Sequence, residues 1–334
     1  MRKLLEIKIL CGVILCFLLQ ANVNAQSGNI WKIGHTRTAG SAVDVDIQKF
    51  TKNIDEYTQG KIHFEVYEAN KLGDYSVVQE RVSLGEVEMY LGPFGTAVDK
   101  RLVLAFVPFL VEDWDKAEQV YSPGSPLLKH MELFLRQQNI KILGGYPVYF
   151  GGLALTEKPQ APGDPEVNKK MIVRIPPIRS FELTARELGY TPYPITWMYA
   201  RMGLKTGMVN GIIGGGAEGY HGLPAIRYYL PVKDHFEYWF IYMNLDLWEE
   251  LSPQDQQAIS RAAEEMEAER YRYAEDNEKK SIVELRRSGI EVLEIEEKEL
   301  DALRRKIRHT VWPILREDIG PAFDEVVRFL GSSE

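Results

Sequence analysis

The sequence predicts an α/β fold arranged as two domains, and three observations carry that expectation. The chain has 334 residues, more than one domain of about 150 residues usually holds. Between Trp31 and Leu91, stretches of strand and helix character alternate, the order of a parallel sheet with helices packed outside it. Apolar residues make up 45% and charged residues 26%, the balance of a chain that buries a core rather than staying disordered.

The first 25 residues stand apart from this pattern. Arg2, Lys3 and Lys8 precede an apolar run over 9–19, and Val23-Asn24-Ala25 offers a small-residue cleavage site before Gln26. This is the layout of a secretory signal peptide, and the run is far shorter than the roughly 20 residues a membrane span needs. Both cysteines, Cys11 and Cys16, fall inside the leader, so the exported chain folds without disulfides on the strength of its core. The periplasm is the expected compartment. A net charge of −8 with no basic stripe argues against nucleic acid as a partner.

Trp31-Lys32-Ile33-Gly34 reads as the first strand. Val43, Ile47, Phe50 and Ile54 then recur at helical spacing, and Gly60 supplies the stop. Ile62, Phe64 and Val66 alternate with polar neighbours, the mark of a strand with one buried face. A helix over 77–84 and a strand over 87–91 follow. The run 103–110 is apolar, broken by Pro108. Helices are expected over 114–121 and 126–138, a strand over 140–143, a loop over 159–165, a strand over 171–175, and helices over 178–188 and 197–206. Ile212-Ile213 runs into Gly214-Gly215-Gly216, where backbone can approach a ligand closely. Ser252-Pro253-Gln254-Asp255 is a helix start, and helical composition continues to Gly289. A strand over 290–295 and two more helices close the chain.

Motifs for chemistry are absent. The exported chain has no thiol; its six histidines show no zinc spacing, and no nucleophile elbow, phosphate loop or dinucleotide loop occurs. An enzyme is therefore not favoured, and no cofactor or metal is expected. Arg174, inside an apolar strand, is the residue that asks for a reason: its planar fork fits a carboxylate, although a solvent-facing edge position or a structural ion pair would also account for it. Trp197, Tyr199, Tyr220, Tyr238 and Trp239 read as lying near loops or helix starts. His35 and Thr36 end the first strand, where open α/β sheets bind ligands, and Asp74 follows Gly73 in a turn.

Taken together, several runs resemble the periplasmic solute-binding subunits of TRAP transporters, the DctP type. They are Lys32-Ile33-Gly34-His35, Tyr57-Thr58-Gln59-Gly60-Lys61-Ile62, Leu72-Gly73-Asp74, Leu84-Gly85-Glu86-Val87-Glu88-Met89, Val107-Pro108-Phe109-Leu110, Lys170-Met171-Ile172-Val173-Arg174 and Leu204-Lys205-Thr206-Gly207-Met208-Val209-Asn210-Gly211. His235, Asn244, Trp248 and Leu251-Ser252-Pro253 continue the match along the chain. The resemblance implies a two-lobed α/β fold with mixed sheets flanked by helices and a long helix spanning both lobes. It places 26–150 and 239–280 in lobe I, and 151–238 and 281–334 in lobe II. It implies a carboxylate ligand in the cleft and a membrane permease as partner. It assigns the carboxylate anchor to Arg174, an aromatic wall to Trp197, and further pocket positions to Thr36, Asp74, Gly92-Pro93-Phe94 and Tyr238.

Three departures from the family pattern bear on the ligand. A second arginine aligns with Leu153, an asparagine with Gly214 and a glutamate with Tyr199. The resemblance therefore implies one anionic anchor and a bulky or aromatic monocarboxylate. Other readings are a receptor for an ATP-driven importer or a sensor, a scaffolding protein, and a periplasmic enzyme using His35 or Asp74 as general base.

Overall fold

Trp31 and Ile33 point inward from β1 (Asn29–His35) and meet Val43, Ile47, Phe50 and Ile54 of α1 (Ala42–Tyr57), all fully buried or nearly so. Ser41 caps α1 by accepting from Asp44 N at 3.3 Å, and Gly60 ends the turn at φ +78°. The computed structural model describes residues 29–331, so the signal peptide expected over 1–25 lies outside the described residues.

The first sheet runs in the order β2 (Ile62–Tyr67), β1, β3 (Met89–Gly92), β10 (Phe236–Asn244), β4 (Ile140–Phe150). β1 is parallel to β2 and β3, whereas β10 is antiparallel to β3 and β4. The second sheet runs β11 (Glu291–Val292), β9 (Tyr228–Leu230), β5 (Leu153–Leu155), β8 (Gly211–Ile212), β6 (Ile172–Ile175), β7 (Thr191–Pro194). It too is mixed, with β6 parallel to β7 and β8, and β5 antiparallel to β8 and β9. Parallel alternation in the N-terminal sequence thus describes only part of each sheet.

The chain passes between the sheets twice, from β4 to β5 and from β9 to β10. At the first crossing a Cβ on Gly151 would lie 2.1 Å from His235 Cε1, so only glycine lets the two connections pack together. A third link is α9 (Pro253–Arg287), 35 residues long. It packs on β4 and α1 at one end, and on α7 (Ala217–Tyr220) and β11 at the other. This gives two lobes with a long helix spanning both.

Several boundaries differ from the sequence reading. Residues 103–106 of the apolar run, to which the sequence reading gives no element, belong to a 3-10 helix, Lys100–Phe106, that ends two residues before Pro108. Tyr238 and Trp239 sit in the middle of β10 rather than near a loop. The strand expected over 290–295 is two residues long. Three helices close the chain instead of two: α10 (Glu297–Thr310), α11 (Trp312–Ile319) and α12 (Pro321–Gly331). α10 packs on α5 (Arg179–Glu187), but α11 packs on the 3-10 helix and α12 on α3 (Trp114–Val120) and α4 (Pro126–Arg136). The last two helices thus return to elements within 26–150, where the sequence reading assigns all of 281–334 to lobe II.

Candidate functional site

The carboxyl ends of β1, β3, β6 and β8 converge between the lobes, where an α/β architecture leaves room for a ligand. They border a small cavity. From the first lobe come Thr36 and Arg37 after β1, Tyr75 at the start of α2 (Tyr75–Ser83), Pro93, Tyr149, Glu237 and Trp239. From the second come Arg174, Pro176, Phe181 and Gly214, with Trp197 opening α6 (Trp197–Thr206). The wall is mostly aromatic and prolyl, with a few polar groups set into it, which is how small-molecule sites are built.

Arg174 is 1% exposed. Its Nε donates to Ile195 O at 2.8 Å, and its guanidinium carbon lies 5.3 Å from the centre of the Trp197 ring. No carboxylate pairs with it among the described residues. Burial pulls its pKa below the ordinary arginine value, but a guanidinium remains charged. The strand is internal, between β7 and β8, so neither an edge position nor an ion pair explains this arginine. Gly214 sits at φ +84°, and a Cβ there would lie 2.5 Å from Pro176 Cδ. The asparagine expected from the family pattern has no room in this backbone.

Of the residues singled out by sequence, Thr36, Pro93, Arg174, Trp197, Gly214 and Trp239 border the cavity together. The remaining assigned pocket positions lie behind it, and Tyr199 is exposed. His35 is wholly buried, bonded through Nε2 to Asp44 Oδ1 at 3.2 Å, and burial lowers its pKa. Asp74 caps α2, accepting from Ser76 N at 3.3 Å. A Cβ on Gly92 would strike the Tyr90 ring. Phe94 stacks on Phe240 with centroids 4.8 Å apart. The Tyr238 hydroxyl lies within hydrogen-bond distance of Tyr121 O at 2.9 Å and of Glu267 Oε1 at 2.7 Å, deep in the core. Neither candidate general base, His35 or Asp74, faces the cavity.

Sequence reasoning missed two charged groups of the site. Arg37 donates to Tyr149 Oη at 2.8 Å and lies among the rings of Trp239, Trp197 and Tyr149, at 4.9, 5.5 and 5.9 Å from their centres. Glu237 accepts from Trp239 Nε1 and, at 3.0 Å, pairs with His235 Nε2. His235 Nδ1 is 2.9 Å from Asp234. Burial alone would lower the His235 pKa, but the two flanking carboxylates outweigh it and push the value up to about 10. An arginine in a loop and an acid in an apolar strand are the only sequence signals these groups leave. Neither marks a cavity without knowledge of what packs opposite.

A family model for bacterial extracellular solute-binding protein, family 7 (DctP), matches residues 33–317. The ectoine-binding periplasmic protein TeaA of Halomonas elongata is 24% identical over 262 residues, covering 74% of this chain and 72% of its own. Among solved structures, the sugar acid binding protein DctPAm of Advenella mimigardefordensis, in complex with galactonate, superposes with a TM-score of 0.84 at 14% identity, over 92% of this chain and 99% of that one. An extracytoplasmic solute receptor of Bordetella pertussis binding pyroglutamic acid gives 0.80 at 18% identity, over 91% and 100%.

Proposed function

Because the chain belongs to the DctP family of bacterial extracellular solute-binding proteins, the solute receptors of TRAP transporters, we propose that it is a periplasmic receptor for an organic acid. It holds a monocarboxylate between its lobes and hands it to the membrane permease subunits. The observation that carries this reading is Arg174, a buried guanidinium with no carboxylate partner, facing an aromatic cavity. A bidentate pair with the ligand carboxylate would complete its hydrogen bonding. In a cleft closed to water that pair is stronger than on a surface, offset by the desolvation of both ions. Trp197 keeps the guanidinium plane in place and offers a face to the ligand body. The galactonate and pyroglutamic acid held by two proteins of the same fold support an acid, and the aromatic wall supports a compact or planar body. Thr36, Pro93 and Gly214 are proposed as ligand contacts. His35, Asp74, Gly92, Phe94 and Tyr238 serve the site by holding those contacts in position.

The test is mass spectrometry of small molecules released from natively purified protein, followed by calorimetry with the acids found. A tightly held carboxylate is expected. Protein that co-purifies with no acid and shows no thermal shift with any of a broad carboxylate panel would overturn the proposal.

A further inference from the structure

The cavity holds a second guanidinium that the sequence reading did not count. Arg37 comes from the first lobe, across the cleft from Arg174, and both lie over the Trp197 ring, at 5.5 and 5.3 Å from its centre. Each guanidinium carries five N–H donors, yet among the described residues each makes a single hydrogen bond to the protein. Arg37 Nε is buried without a partner. Neither arginine meets a carboxylate, whereas the wholly buried Arg270 pairs with Glu218 at 3.5 Å. Two such donor sets left unused around one cavity point to acceptors that a ligand must bring.

Charge decides what kind of acceptor Arg37 takes. The cations around the cavity are Arg37, half-buried in the loop after β1, and the fully buried Arg174 and His235 imidazolium. Asp74, Asp234 and Glu237 face them from the start of α2 and from the segment leading into β10, and Glu218, which also acts on Arg37, is itself paired with Arg270, so the opposed charges are equal in number. A single carboxylate is stabilised by its fork on Arg174, but a second negative charge would enter surroundings already balanced. We infer that Arg37 is the second ligand anchor, and that the cleft selects monoanionic acids carrying a neutral oxygen acceptor, a hydroxyl or carbonyl, at the end away from the carboxylate. Plain carboxylates of the same size leave the Arg37 donors unused and bind more weakly. Because the two arginines belong to different lobes, such a ligand ties one lobe to the other. The inference rests on the acid-receptor reading and adds to it the selectivity of one residue.

The test is calorimetry with two matched pairs, pyroglutamate against cyclopentanecarboxylate and galactonate against hexanoate, on wild type, Arg37→Met and Arg37→Lys. Circular dichroism first establishes that each variant is folded. Wild type should favour the oxygenated member of at least one pair tenfold or more. Arg37→Met should bring that preference below threefold by weakening the oxygenated acid alone. Arg37→Lys, which keeps a cation among the rings but not the fork, should fall between them, and it carries the test if Arg37→Met does not fold. If Arg37→Met weakens both members equally, or neither, Arg37 is a wall residue and the inference fails while the receptor reading stands. The same holds if wild type shows no preference or prefers succinate, a dianion. If wild type binds no acid of the set, the inference fails, and the receptor reading is then decided by the co-purification and carboxylate-panel test.

Discussion

Arg174 and His235 are both buried cations within one cleft region, and their surroundings differ in a single respect. His235 lies between Asp234 and Glu237, at 2.9 and 3.0 Å, at the point where two chain crossings meet. Arg174 has a backbone carbonyl on one nitrogen and no carboxylate. A buried charge without a partner is costly, and a fold keeps one only where something else supplies the partner. His235 is a fastening within the protein, and Arg174 is the position proposed for the ligand. Substitutions at the two should therefore separate stability from binding.

The largest effect is expected at the fastening. His235→Gln leaves Asp234 and Glu237 as uncompensated buried carboxylates, and should cost about 3–5 kcal/mol of stability, read as a fall in the urea midpoint. The pH dependence gives the same answer by another route. The folded-state pKa of His235, about 10, stands above the unfolded value of 6.5, so its stabilisation is complete below pH 6.5 and is lost as pH rises toward 10. Wild type and His235→Gln should accordingly converge in stability between pH 7 and pH 10. Parallel curves across that range would show that His235 is not the charged centre of the crossing.

At the open position the order reverses. Arg174→Ala should weaken binding of the co-purifying acid by about 2–5 kcal/mol, roughly 30- to several-thousand-fold, with a smaller loss of stability than at His235, since it gives up the bond to Ile195 O and some packing but strands no protein carboxylate. Arg174→Lys should recover only part, a point charge being a poor copy of a fork. A folded Arg174→Ala that binds within threefold of wild type would erase the distinction between the two cations. The smallest effect is expected at the wall: Trp197→Ala should weaken binding by about 1–3 kcal/mol, followed by calorimetry, and should leave the urea midpoint nearly unchanged because Trp197 is only partly buried.

How much of this was legible beforehand follows the range of the interactions involved. The helix starting at Ala42 is written in Ser41 and in the spacing of Val43, Ile47, Phe50 and Ile54, all within one segment. The same is true of the long helix, announced by Ser252-Pro253 and found to run to Arg287. Arg174 was conspicuous because a charge interrupts an apolar strand, and the role proposed for it came from the family resemblance. β10 left no such trace. Every residue from Phe236 to Asn244 is buried, so the run has no polar face and no alternation to read.

Local sequence therefore determined where the helices begin, which residues face inward on them, and that Arg174 needed a partner. Tertiary structure alone decided that β10 returns antiparallel between β3 and β4, and that His235, with the carboxylates one residue before it and two after it, is buried against Gly151. It also brought Arg37, from a loop 137 positions earlier in the chain, over the same ring as Arg174. The physical reason is that caps and helical periodicity act within a few residues along the chain. Strand pairing, buried charge and the choice between a structural and a ligand-binding cation depend on what arrives from far away to lie opposite.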